Sequence, residues 1–66
     1  MMKIAQSATI AGLETLLNKH FLSNHFKVHK VEEGYTVHNL KGLTQVRVKE
    51  IIRRKAIAGY LAYFED

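Results

Sequence analysis

The chain contains no cysteine and no proline in its 66 residues. Without cysteine, no disulfide can staple the fold and no thiolate can ligate a metal. Without proline, no proline-rich linker divides the sequence, and no repeat or low-complexity tract does so either. One domain over residues 1–66 is therefore expected. Glycine is also sparse, and Gly12, Gly34, Gly42 and Gly59 are isolated from one another, so no glycine-rich phosphate loop is present. No apolar run approaches the roughly 18 residues needed to span a bilayer. Residues 1–6 carry one lysine and are followed by no long apolar region, unlike a signal peptide. A cytoplasmic protein with no membrane partner is the expectation.

Hydrophobic residues make up 47% of the chain, an ordinary globular fraction. A domain this short buries only about 60% of its unfolded surface, so a homodimer would cover leftover apolar area. Positive charge is concentrated. The net charge is +4, yet residues 41–55 alone carry six bases (Lys41, Arg47, Lys49, Arg53, Arg54, Lys55) against Glu50, for +5. Residues 1–40 add +1 and residues 56–66 contribute −2. Such clustering is the usual electrostatic footprint of an anionic partner, although many small proteins are basic for solubility alone.

The stretch from Leu43 to Glu65 holds most of this charge and a change of period. Thr44, Val46 and Val48 alternate with Gln45, Arg47 and Lys49, a half-buried strand pattern. From Glu50 a helical period fits. Ile52, Ala56, Ile57, Tyr60, Leu61, Tyr63 and Phe64 fall on one arc, with Arg54, Lys55, Ala58 and Ala62 opposite. The reading is a strand over about 44–49 and a helix over about 51–64. In that helix Arg53, Arg54 and Lys55 would sit in the first turns, against the dipole preference of about 0.3–1 kcal/mol each. The helix start could then hold a phosphate; alternatively the long basic side chains simply extend into solvent.

Upstream, residues 1–6 are a flexible arm or a short edge strand. Ser7 or Thr9 can cap a helix over about 8–22, whose stripe is Ile10, Leu13, Leu16, Leu17, His20 and Phe21. Gly12 within it costs about 1 kcal/mol against alanine and leaves room for a close neighbour. Ser23-Asn24 would end the helix, with Asn24 in a left-handed conformation. Residues 26–40 read as a hairpin with Glu32-Glu33-Gly34 as a three-residue loop and Gly34 supplying a positive φ. Lys41-Gly42 turns into the third strand. The fold expected is α+β, in the order α-β-β-β-α, with a three-stranded antiparallel meander and two helices on one face. The alternative is α-β-β-α with one long C-terminal helix. The first order is similar to that of double-stranded-RNA-binding domains and small RNase toxins, a likeness of topology without shared motifs.

Four histidines invite chemistry: His20, His25, His29 and His38. A zinc site needs three or four ligands in tetrahedral array, and Glu32 and Glu33 lie in the hairpin turn, so no metal and no cofactor is expected. His29 and His38 could face each other across the hairpin and act as base and acid in RNA cleavage, with Arg47 holding developing charge. No motif fixes that geometry, and histidines on an open strand face are the plainer reading. Tyr60, Tyr63 and Phe64 could stack on bases, but sharing an arc with Ile57 and Leu61 marks them as core.

The first functional expectation is a small basic nucleic-acid-binding accessory or regulatory protein, not an enzyme. Lys41, Arg47, Lys49, Arg53, Arg54 and Lys55 would contact phosphates, extended by Lys27 and Lys30. The second is a protein-binding inhibitor or adaptor, of the kind a phage or other mobile element carries, that docks an acidic partner surface. The third is a small ribonuclease. None of the three implies a small-molecule substrate.

Overall fold

The computed structural model describes residues 2–22, 25–41 and 45–65. It is an α+β fold of one helix and five strands: β1 (Met2–Ser7), α1 (Ile10–His20), β2 (Lys27–Lys30), β3 (Tyr35–His38), β4 (Val46–Arg53) and β5 (Ala56–Phe64). The strands form an antiparallel three-stranded sheet in the order β1-β5-β4 and a separate two-stranded sheet, β2-β3. Among the described residues no helix is long and apolar enough to cross a membrane.

The helix forms where its stripe and cap agree. Thr9 adopts an extended conformation and its hydroxyl accepts from the Gly12 N–H at 3.0 Å, which satisfies one of the amides left open at a helix start. A β-carbon on Gly12 would fall 2.3 Å from the Ser7 hydroxyl, so the missing side chain does admit a close neighbour. Leu13 and Leu17 are fully buried and meet Phe26, Val28, Val46, Val48, Ala62 and Ala5 in one core. Phe21 closes it beside the rings of Phe26 and Phe64, at 5.6 and 6.0 Å. The helix also covers β2. Asn18 accepts from the Phe26 N–H and donates to its carbonyl, while Glu14 Oε2 accepts from the Val28 N–H at 2.7 Å. Two helix side chains one turn apart thus stand in for a neighbouring strand.

Residues 2–7 are the edge strand, paired with β5 from Met2↔Phe64 to Ser7↔Tyr60. The β2-β3 hairpin forms as expected, with Gly34 at φ 91°. Its loop is one residue longer than Glu32-Glu33-Gly34, because Val31 leaves the ladder after Lys30↔Tyr35. The expected helix end at Ser23-Asn24 and the Gly42–Thr44 part of the expected turn and strand lie outside the described residues; His25, just after, takes the left-handed conformation at φ 54°.

The C-terminal helix is corrected. Residues 51–64 are not helical, so neither α-β-β-β-α nor the alternative with one long helix describes the chain, and the likeness in element order ends there. Instead β4 runs to Arg53 and β5 returns antiparallel to it. Residues 56–64, AIAGYLAYF, carry no charge. Such a run satisfies a helical arc and both faces of a strand equally well. Placement decides: β5 is the central strand of its sheet, paired with β1 on one side and β4 on the other. Ile57, Tyr60, Tyr63 and Phe64 favour that setting, while Gly59 would cost a helix about 1 kcal/mol.

Candidate nucleic-acid interface on the β4-β5 ribbon

Alternation along β4 sorts its side chains. Val46 and Val48 point into the core, opposite Phe64 and Ala62. Arg47 and Lys49 point outward, opposite Tyr63 and Leu61. The outer face thus carries Lys3, Arg47, Lys49 and Arg53, because Lys3 pairs with Tyr63 from the other side and Arg53 follows Lys49 by two further steps of alternation. Tyr63 lies among these cations, with Lys49 Nζ 5.4 Å from its ring centroid. Arg47 is tied down, its Nε 2.9 Å from Glu65 Oε2.

The sheet ends unevenly. β1 stops at Ser7↔Tyr60, so residues 51–59 run on as a two-stranded ribbon. Gly59 marks the root: it is buried, and a β-carbon there would stand 3.0 Å from the Ser7 carbonyl oxygen. One turn of ladder beyond, a bulge at Ala58 sets Ile51↔Gly59 apart from Ile52↔Ile57. Ile52 and Ile57 then sit side by side, 56% and 50% exposed. Arg53 pairs with Ala56, and Arg54-Lys55 closes the hairpin with two left-handed residues, φ 52° and 65°. Two positive φ values are what a type I′ two-residue hairpin demands, and Asn-Gly usually supplies them. Arginine and lysine adopt that conformation only at a cost on the order of 1 kcal/mol each. Among the described residues, no acid pairs with Arg53, Arg54 or Lys55.

The expected helix-start anion site at Arg53, Arg54 and Lys55 therefore does not exist; the three cations are gathered on a hairpin tip instead. Of the other residues singled out, Lys41 is exposed in the loop before β4, and Lys27 is exposed beside His38 on β2-β3. Lys30 turns away. Its Nζ lies 3.8 Å from Glu50 and 5.1 Å from the Tyr35 ring, in the joint between the two sheets. There the Tyr35 hydroxyl donates to Glu50 Oε2 at 2.8 Å and its ring meets Tyr60 edge-on. Desolvation first, then the hydrogen bond to Glu50 and that carboxylate's charge, push the Tyr35 phenol well above its ordinary pKa.

His29 and His38 do come together, their rings 5.4 Å apart across the hairpin. Arg47, the third member of the ribonuclease constellation, belongs to the other sheet and is engaged with Glu65. Among the described residues no three histidines or acids gather to hold a metal. Tyr60 and Phe64 lie on the core side, as expected, whereas Tyr63 is on the outer face. Alternation from Arg47 could have found Lys3 and Tyr63 only with the β1-β5-β4 pairing known. No family model, curated protein or solved structure matches the chain.

Proposed function

We propose that the chain is a small accessory protein that binds duplex nucleic acid through the β4-β5 ribbon. Lys49 and Arg53 on its outer face, with Arg54 and Lys55 at its tip, contact phosphates; Lys3, Arg47 and Lys41 extend the surface. The observation that carries this reading is the tip itself: three consecutive exposed cations, two of them in a backbone conformation their side chains disfavour, with no acid beside them among the described residues. Strain held at an exposed charged position points to a contact outside the chain. A two-stranded ribbon is also a form that reads duplex DNA from either groove.

The test is fluorescence anisotropy of the purified protein with duplex DNA, single-stranded DNA and duplex RNA over a salt series. Four to six neutralised phosphates give a log–log salt slope of roughly −3.5 to −5.5 on B-DNA. Absence of binding to either duplex near 50 mM salt, a condition that favours electrostatic binding, overturns the proposal. Capture of one defined acidic protein under the same conditions would then favour the docking reading of the same cations.

A further inference from the structure

The ribbon carries more than charge. Ile52 and Ile57 form a directly opposed pair on one face, half exposed, at the position next to the turn that bears Arg54 and Lys55. They add nothing to the core: the cluster ends at Tyr35 and Tyr60, and neither isoleucine belongs to it. A second copy of the chain fits poorly as their cover. Two side chains fall far short of the about 800 Å² per partner of a stable interface, and symmetric contact would bring two clusters of three cations together. The cover must instead be strongly anionic and offer a narrow apolar slot between its charges. A stack of base pairs between two phosphate backbones meets both requirements.

We infer that the Ile52–Ile57 pair is a wedge that enters a base step of duplex DNA and kinks it while Arg54 and Lys55, at the turn beside the pair, hold the flanking phosphates. This rests on the nucleic-acid reading above and adds to it a mode of binding. Apolar side chains that part stacked bases bend the duplex by about 20–90°, at an unstacking cost offset by extra backbone contacts. The Ala58 bulge strengthens the local twist of the ribbon and brings Ile57 to the face of Ile52, opposite that of Arg53. Flexible steps such as TA and CA/TG would yield most readily.

The experiment uses the full chain and a short duplex labelled at both ends for energy transfer, with 2-aminopurine at a central TA step. The wild type is expected to shorten the end-to-end distance and raise the 2-aminopurine fluorescence. Ile52→Ser/Ile57→Ser lies outside the core and should still bind, with a salt slope no steeper than the wild type's, but leave the duplex straight and the probe quenched. Ile52→Phe, a larger wedge, should bend the duplex at least as far as the wild type, which keeps the test valid if the double variant misfolds. Wild-type binding with no bend and no fluorescence change overturns the wedge and leaves the phosphate contacts standing. Unaltered bending by the serine variant also overturns it. Failure of the wild type to bind any duplex overturns the nucleic-acid reading itself. Tighter binding to phosphatidylglycerol vesicles than to the duplex overturns the wedge by assigning the isoleucines to a lipid surface.

Discussion

Replacing the ribbon tip, Arg54-Lys55, by Asn-Gly should make the protein more stable and a weaker binder at once. Both residues hold positive φ, 52° and 65°. Relief of that strain is worth on the order of 1 kcal/mol at each position, reduced by about 0.5–1 kcal/mol for the added freedom of glycine in the unfolded chain. A net gain of about 1–1.5 kcal/mol corresponds to a rise in Tm of roughly 4–12 °C for a domain of this size. On the binding side, two phosphate contacts disappear, and the salt slope on B-DNA should flatten by about 1.8, which at 0.1 M salt weakens binding about 60-fold. Thermal denaturation by circular dichroism and a salt series by anisotropy read the two effects separately. Arg54→Asn/Lys55→Arg, which relieves one residue and keeps one cation, should fall between on both scales. A Tm unchanged or lowered in the Asn-Gly variant would refute the strain argument. A salt slope that stays at the wild-type value would show that these cations touch no phosphate.

Other predictions concern the body of the fold. Asn18→Ala leaves the N–H and carbonyl of the buried Phe26 without their partners, a loss of about 2–3 kcal/mol in urea denaturation; Glu14→Gln, which keeps an acceptor for Val28, should cost under about 1 kcal/mol. Gly59→Ala drives a methyl against the Ser7 carbonyl and should destabilise by about 1–3 kcal/mol without altering the salt slope of binding. Because the Tyr35 phenol is shifted upward in the folded state, its contribution is whole below the ordinary tyrosine pKa of about 10 and is lost as pH rises above it. Tyr35→Phe should therefore differ from the wild type by about 0.5–1.5 kcal/mol near neutrality, and the gap should narrow only above about pH 10. A gap that narrows between pH 7 and pH 9 would contradict the assignment.

How far the sequence disclosed this structure depends on which residues compete. The Thr9 cap, the Leu13–Leu17 stripe and Gly34 are each set by local chemistry, and each appears where the pattern places it. The alternation Val46–Arg47–Val48–Lys49 was legible for the same reason. Past Glu50 the local signals conflict. The run from Ala56 to Phe64 is apolar at every position, so a helix wheel and a central strand draw equal support from it. What separates them is a long-range fact, that residues 2–7 supply the second neighbour for β5. Gly59 was the available hint, since it weakens a helix and permits the close approach of Ser7. The turn was hidden more deeply: neither arginine nor lysine announces a type I′ hairpin, because the preferred residues there are asparagine and glycine.

That same mismatch separates the ribbon from the rest of the molecule. In the body, polar side chains are spent inward: Asn18 and Glu14 on the backbone of β2, Tyr35 and Lys30 on Glu50. Beyond Gly59 the logic reverses. Two residues occupy a conformation that other residues would adopt more cheaply, three cations stand together, and a pair of isoleucines faces water. A 66-residue domain has a total stability of only about 3–10 kcal/mol, so strain on the order of 2 kcal/mol at one turn is a large fraction of it. A sequence shaped by turn preference alone would place Asn-Gly at 54 and 55. Local rules are broken together at one exposed end, with no compensating ion pair among the described residues, and it is on such an end that the proposed binding role rests. The ribbon tip is accordingly where substitutions should separate binding from stability, whereas changes to Leu13, Leu17 or Phe26 should abolish both together.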